Sequence, residues 1–586
     1  MKTPILIISA LITSAIVSAQ CLVYEVPLPS RVQQAEAVFE GKVIAKKSFW
    51  NKQHTYIYTG NTVEVYKVFK GKFTTDKIEI ITPGGVVGNK AVVAEPALKL
   101  SKGQTGIFFA SADHTGLPAT GTVMKPVAGP QSFILYNIHQ NEAADVFATY
   151  KNISGNLYKK ITAITKSNYQ TVIPFDVDLA SQQSSRAAPP VVSSISPLSI
   201  SAGTRDILTI NGSGFGATQG NGFVSFRNSD NGGGSYVEFT DPKYYMTWTD
   251  NMIQILVPGD VMANSIGTGP VAVTDNNFQM GVSSQTLTVT FNRYEIAVGS
   301  ALEQTIFYDD NSSGGYTFTP HTEVGALPAA TSAIQRAMDT WTCVTNVNWI
   351  LSPTPTATDV VASDGVNVIR FDNGGELGAG VLGMGSTYWA YTFGSSENYW
   401  RVTEMDITMD DGTNWNYGPA APGGAQYDFE SVMLHELGHL HQFNHVINTT
   451  SPMHYAIANG TMKRSLLSTD ITGGNLVMSS SGTAAADAGI NPMIPYTNNP
   501  SCIPTSVENT SVHADQTVYP NPATDFIKVK FSKDANVEVY NLLGESFKAI
   551  ITGNNLIDVS SLPRGIYVLK ISDSFSSSAY RFSIAR

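Results

Sequence analysis

Apolar and polar residues alternate with a period of two along much of this chain, the spacing of half-buried strands. The clearest early cases are residues 38–44, 63–69 and 78–81, the last closed by a turn at Pro83-Gly84-Gly85. The alternation returns in residues 208–211 and 253–257, and near the end in 526–531, 537–540 and 566–571. Two stretches follow helical spacing instead. In residues 328–341, Ile334, Ala337, Met338 and Trp341 share one stripe behind Pro328. Residues 427–443 form the second, with Asp428 placed as N-cap and Glu430 in the positively polarised first turn. A strand-rich block separates the two, so residues 296–495 are expected to be an α+β domain. The remainder predicts a multidomain chain with β-rich accessory domains: a barrel over 20–180 and sandwiches over 190–295 and 517–586. Polar stretches at 181–189 and 496–516 read as linkers.

Residues 1–19 read as a secretory signal: Lys2, then an apolar run from Ile5 to Val17, then small residues at Val17-Ser18-Ala19. Gln20 rather than a small residue precedes Cys21, against a lipoprotein signal. No later stretch approaches a membrane-spanning length of about 18 apolar residues, so no transmembrane segment is expected in the mature, exported chain.

Composition narrows the classes. A length of 586 residues fits about three to five domains. Charged residues are only 14%, against about 25% in ordinary soluble domains, which argues against coiled coils and helical solenoids. A net charge of −11 argues against nucleic acid as the main partner, because phosphate binding needs a basic face. Three cysteines cannot build a disulfide scaffold. Cys343 and Cys502 are plausible disulfide partners in an exported protein. Cys21 is then the odd one, a free or intermolecular thiol, or a thiolate that caps a metal in a silent precursor.

Some segments resemble known families. Tyr519-Pro520-Asn521-Pro522, a Leu543-Gly544 turn, Gly565-Ile566-Tyr567 and the basic Arg586 resemble the C-terminal sorting domain of type IX secretion in Bacteroidetes. That resemblance implies passage across the outer membrane through the type IX machinery, and a secreted or cell-surface location. Ile195-Ser196-Pro197 and the glycine-rich turn 212–216 resemble an IPT/TIG immunoglobulin-like domain, a module that spaces or binds. The strands of 20–170 weakly resemble the netrin-like or metalloproteinase-inhibitor barrel.

The second helix carries His435-Glu436-Leu437-Gly438-His439. Residues four apart stand one turn above each other, so His435 and His439 can share one tetrahedral Zn²⁺. Glu436 projects about 100° round the helix, placed to act on water rather than to ligate. His445 follows six residues after His439, and a straight helix would give it the wrong azimuth. The chain must therefore bend after about Leu440. Ser451-Pro452-Met453-His454-Tyr455 comes next. The long helix, the three histidines and Met453 resemble a metzincin zinc protease, with Met453 in its Met-turn. Gln442 departs from that pattern, which has glycine at the bend; Asn444 is the alternative for a left-handed residue. Asp470 and His454 are the runners-up for third ligand. No glutamate lies between Glu436 and Glu508 to serve instead.

Within that family, Glu404-Met405-Asp406-Ile407 and the Asp470 region resemble matrixins, where Asp470 would be structural. Tyr455, two after Met453, resembles astacins and serralysins, where such a tyrosine ligates the metal or stabilises an oxyanion; packing beneath the metal is the alternative. His441 reads as a packing or surface residue. Asp406, Asp410 and Asp411 are candidates for Ca²⁺, with a solvated acidic turn as the plainer reading.

The resemblance implies a metzincin α+β catalytic domain and a secreted zinc endopeptidase acting on protein or peptide substrates. Glu436 would take a proton from water and pass it to the leaving amine, with zinc as Lewis acid and Tyr455 assisting. The substrate would lie extended along an edge strand near residues 377–389. Two rival readings are a catalytically silent adhesion protein, and a self-inhibited enzyme whose residues 20–170 block the cleft.

Overall fold

Strands β1 (Ala37–Trp50) and β2 (Ile57–Lys70) contain the first two alternating stretches and pair antiparallel along their whole lengths. They belong to a computed structural model that describes residues 23–73, 75–113, 116–117, 122–182, 188–299, 301–502, 518–529, 536–541, 546–548, 550–552, 555–572 and 577–585. The signal segment, Cys21, the turn at 543–544, Arg586 and much of both linkers lie outside those residues. Residues 1–502 make one compact unit and 503–586 another.

Strand β2 pairs with β3 (Lys77–Pro83), which runs parallel to residues 123–126. That segment pairs with the strand Thr105–Ala112, which returns to β1. The ring closes, and a closed sheet has no free edge. Phe39, Val43, Val63, Ile78 and Phe108 fill it. At Gly84 and Gly85 the backbone takes φ of +87° and +142°, conformations that favour glycine. The chain there leaves the barrel as a hairpin, β4 (Gly85–Val87) and β5 (Lys90–Glu95).

Residues 191–292 form two packed sheets. One orders Val191–Ser196, Ile207–Ser213, Met252–Leu256 and Tyr245–Trp248; the other orders Ser199–Ala202, Met280–Asn292, Ile266–Thr274, Phe223–Asn228 and Tyr236–Phe239. Ile195, Ile210, Phe226, Ile253, Val273 and Leu287 pack in one cluster between them.

The following region sets three helices, α1 (Pro328–Thr345), α2 (Phe429–Leu440) and α3 (Ser468–Asp487), on a mixed sheet. Its own strands are β6 (Tyr316–Pro320), β7 (Trp349–Leu351), β8 (Asn367–Phe371), β9 (Gly383–Phe393) and β10 (Asn398–Met409). The sheet order is β7-β6-β8-β10-β9-β5-β4. The first four are parallel, and β9 returns antiparallel to β10. The hairpin from the barrel therefore completes this second sheet, with Lys90 opposite Ala390 and Glu95 opposite Gly385. The apolar stripe of α1 faces α2: Ile334, Ala337, Met338 and Trp341 are all fully buried, and Trp341 Nε1 donates to the Leu434 carbonyl at 3.0 Å.

The second unit holds two small sheets, one of Phe526–Lys528, Leu556–Asp558 and Ile550–Ile551, the other of Ser546–Lys548, Asn536–Asn541, Gly565–Ser572 and Ser577–Ile584. Ile527, Val539, Ile557 and Leu569 form its core.

Cys343, in the last turn of α1, is bonded to Cys502, 159 residues on. A cross-link over so long a loop stabilises mainly by restricting the unfolded chain. Cys502→Ser is expected to destabilise the first unit by about 2–4 kcal/mol, seen as a lower urea midpoint without reductant. An unchanged midpoint would mean the bond contributes nothing.

Candidate metal centre

Helix α2 starts where Asp428 caps it, its carboxylate accepting the Ser431 N–H at 3.1 Å. Arg464 pairs with the same carboxylate at 2.5 Å. All twelve residues of α2 are buried, so the helix is held by packing on every side rather than by one amphipathic face. It ends at Leu440, three residues before the predicted end. The Phe443 N–H donates to the Gly438 carbonyl at 3.1 Å and the Gln442 N–H to the His439 carbonyl at 2.9 Å. That pair of bonds is the Schellman stop, which needs a left-handed residue, usually glycine.

Gln442 supplies it, with φ of +72°. A left-handed non-glycine residue costs about 1–2 kcal/mol. Here the Gln442 side chain offsets that cost: Oε1 accepts from Trp389 Nε1 at 3.0 Å, and Nε2 donates to the Leu440 carbonyl at 2.9 Å. Asn444 does not take the left-handed position. It donates to Asn292 Oδ1 at 3.0 Å and the Gly259 carbonyl at 3.2 Å.

The reversal carries His445 back to the helix. One ring nitrogen each of His435, His439 and His445 lies within 4.8 Å of the others, and all three residues are buried. The other ring nitrogens are engaged. His435 Nδ1 donates to the Pro452 carbonyl at 2.6 Å, His439 Nδ1 to the Phe443 carbonyl at 2.7 Å, and His445 Nδ1 to Asp230 Oδ1 at 2.7 Å. Those partners are acceptors only, so Nδ1 carries the hydrogen and Nε2 keeps its lone pair. The Nε2 atoms of His435 and His439 are buried and have no hydrogen-bond partner. Burial, with the neighbouring rings, holds both imidazoles well below their usual pKa, so they are neutral. Three imidazoles that converge with their second nitrogens oriented by acceptors are a donor set suited to a tetrahedral divalent ion such as zinc.

Glu436 lies beside this set, fully buried, with both carboxylate oxygens unpaired. Burial pushes its pKa well above the usual range; the Gly385 amide, near the carboxylate but outside hydrogen-bond geometry, opposes this, and the charge of Glu95 adds to it. Strand β9 comes close to the helix because it carries glycines there. A Cβ on Gly383 would stand 3.1 Å from Glu436 Oε1, and one on Gly385 would meet Leu440 at 2.7 Å.

Met453 is buried against Gly438 of α2. A Cβ on Gly438 would fall 2.1 Å from its sulfur, so the glycine between the two helical histidines makes room for it. Ser451 bonds Asp470 Oδ1 at 3.0 Å, and Asp470 Oδ2 accepts the Leu467 N–H at 2.8 Å at the start of α3. Asp470 therefore ties the methionine loop to α3 and is not among the converging groups. His454 is also outside them: its Nδ1 engages Ala456, and burial lowers its pKa to about 3. His441 is a packing residue, fully buried against Trp341 and Thr345, not a surface one.

The Tyr455 ring packs beside His454 and Phe147 and lines a cavity of about 70 Å³ with Glu95, Asp230 and His445. The acidic cluster differs from the predicted one. Asp406 is buried and engaged by the N–H groups of Val368 and Ala362 and the Tyr388 hydroxyl. Asp372 takes its place beside Asp410 and Asp411.

Three contributors had no signal in the sequence near the histidines: Asp230, Glu95 and the glycines of β9. Each is distant along the chain, and only the tertiary fold places it here. Ser229 Oγ also donates to the His445 carbonyl, at 3.0 Å.

A family model described as an IPT/TIG domain matches residues 190–291, and one described as a secretion system C-terminal sorting domain matches residues 517–585. The chain thus carries an immunoglobulin-like IPT/TIG domain, and its type IX sorting domain indicates export to the cell surface or beyond. Neither model covers the histidines, and neither describes a metalloprotease. No curated protein matches the chain. A solved structure, described as a structural genomics protein of unknown function from Bacteroides thetaiotaomicron VPI-5482, shares 18% identity over 17% of this chain and 22% of its own, with a TM-score of 0.14. Among the described residues no helix is long and apolar enough to cross a membrane.

Gly438→Ala forces the Met453 sulfur to move. It is expected to destabilise the first unit by about 1–3 kcal/mol, read as a lower thermal midpoint. A variant as stable as wild type would show that the sulfur shifts without cost.

Proposed function

We propose that this chain is a secreted zinc endopeptidase of metzincin type, with His435, His439 and His445 holding one ion and Glu436 as general base. The observation that carries this reading is the convergence of three oriented imidazoles beside a buried carboxylate. When bound, zinc would supply Lewis acidity and lower the pKa of water. The chain's own part is positional. Glu436 accepts the proton of the attacking water and returns it to the departing amine; a cation at the histidines opposes the upward pKa shift and favours its charged form. Strand β9 would offer backbone partners to an extended peptide once β5, which pairs with that edge, is displaced. Tyr455 is placed by the reading on the wall of the same cleft.

Glu436→Ala is expected to keep zinc while casein hydrolysis falls by about 10²–10⁴-fold. Near wild-type cleavage by that variant would refute the assignment, and loss of chelator sensitivity in the wild type would refute the metal.

One observation favours the self-inhibited form of this reading. Strand β5 occupies the edge of β9 antiparallel, ending with Glu95 opposite Gly385, next to Glu436. The space left beside His445, about 70 Å³, is the size of a few waters. In this form the chain covers its own cleft. Val92→Pro removes an N–H from the β5 edge. It is expected to raise casein hydrolysis at least about tenfold, with faster hydrogen exchange in residues 85–95. Faster exchange without added activity would remove the inhibitory role.

A further inference from the structure

We infer that Asp230 is a positioning residue of the metal centre, which makes the IPT/TIG domain a working part of the site rather than a spacer. The inference rests on the reading of the three histidines as metal ligands. It starts from an asymmetry among them. His435 and His439 present Nδ1 to main-chain carbonyls of nearby loops, and His439 Nδ1 also lies 3.2 Å from the Tyr294 hydroxyl, an uncharged partner. His445 presents Nδ1 to a carboxylate 215 residues away, in the turn after the strand Phe223–Asn228.

That carboxylate is itself fixed. Asp230 Oδ2 accepts the Ser265 N–H at 2.8 Å, and the Asp230 N–H donates to Asn228 Oδ1 at 2.9 Å. The same domain also holds the backbone around the ligand. Ser229 Oγ donates to the His445 carbonyl, and the Asn444 N–H donates to the Asn292 carbonyl at 2.8 Å. His445 lies beyond the end of α2, so no helical ladder sets its ring; its ring and main chain are oriented from outside.

A carboxylate on Nδ1–H does three things to a ligating imidazole. It selects the tautomer that leaves Nε2 free, fixes the ring plane, and raises the basicity of Nε2. A carbonyl does the first two, and does the third more weakly. The third histidine therefore carries the strongest outer partner where the fold gives it the least support.

The test is zinc affinity of the full chain, measured by competition with a chromophoric chelator, for wild type, Asp230→Asn and Asp230→Ala. Asp230→Ala is expected to raise the zinc dissociation constant by about 10–100-fold, with Asp230→Asn between the two. Cobalt loaded in place of zinc should show shifted visible ligand-field bands in both variants. The thermal midpoint of the metal-free protein should stay near wild type in Asp230→Asn, which covers the case that Asp230→Ala fails to fold. Wild-type affinity and an unshifted cobalt spectrum in Asp230→Asn and in folded Asp230→Ala would overturn the inference alone. A wild-type chain that takes up no zinc would overturn the metal reading and this inference together.

Discussion

Buried imidazole nitrogens without partners set the constraint around which this molecule is organised. Leaving a polar atom buried and unpaired costs about 1–3 kcal/mol, and the Nε2 atoms of His435 and His439 are both in that state beside an unpaired Glu436. The surroundings maintain the arrangement. Each second ring nitrogen is taken by an acceptor, from the loop at Pro452, the helix stop at Phe443 and the turn at Asp230. A helix buried on all sides fixes two of the rings, and the missing side chain at Gly438 admits the Met453 sulfur against that helix. Such a set is costly as bare protein and becomes favourable when a cation accepts the lone pairs.

Much of this was legible along the chain because it is local. The i, i+4 histidines, the Asp428 cap and the need for a bend after Leu440 all follow from helical geometry. The alternating strands of the barrel and the sandwich were visible for the same reason. The bend itself was harder to place. Glycine signals a left-handed stop, whereas Gln442 adopts one through side-chain bonds to Trp389 and the Leu440 carbonyl that local rules do not reveal. Asn444, the better local candidate, is instead used to join the loop to the sandwich. The acidic cluster was regrouped in a similar way: Asp410 and Asp411 come together with Asp372 rather than with Asp406, which three donors engage.

What the sequence concealed is the way its regions interlock. The composition suggests domains strung along a line. Instead, the hairpin 85–95 leaves the N-terminal barrel and finishes the sheet of the helical region, and the sandwich reaches the third histidine. Both are pairings across long sequence separation, and no period or motif records them. The Cys343–Cys502 bond closes the same unit, in keeping with the oxidising surroundings met by an exported protein. The sorting domain forms its own core.

Zinc K-edge X-ray absorption of the purified, zinc-loaded chain bears most directly on the centre. The predicted result is a shell of three imidazole nitrogens at about 2.0–2.1 Å with one further light atom. A sulfur scatterer near about 2.3 Å, or only two imidazoles that persist unchanged when His445 is replaced by alanine, would contradict it.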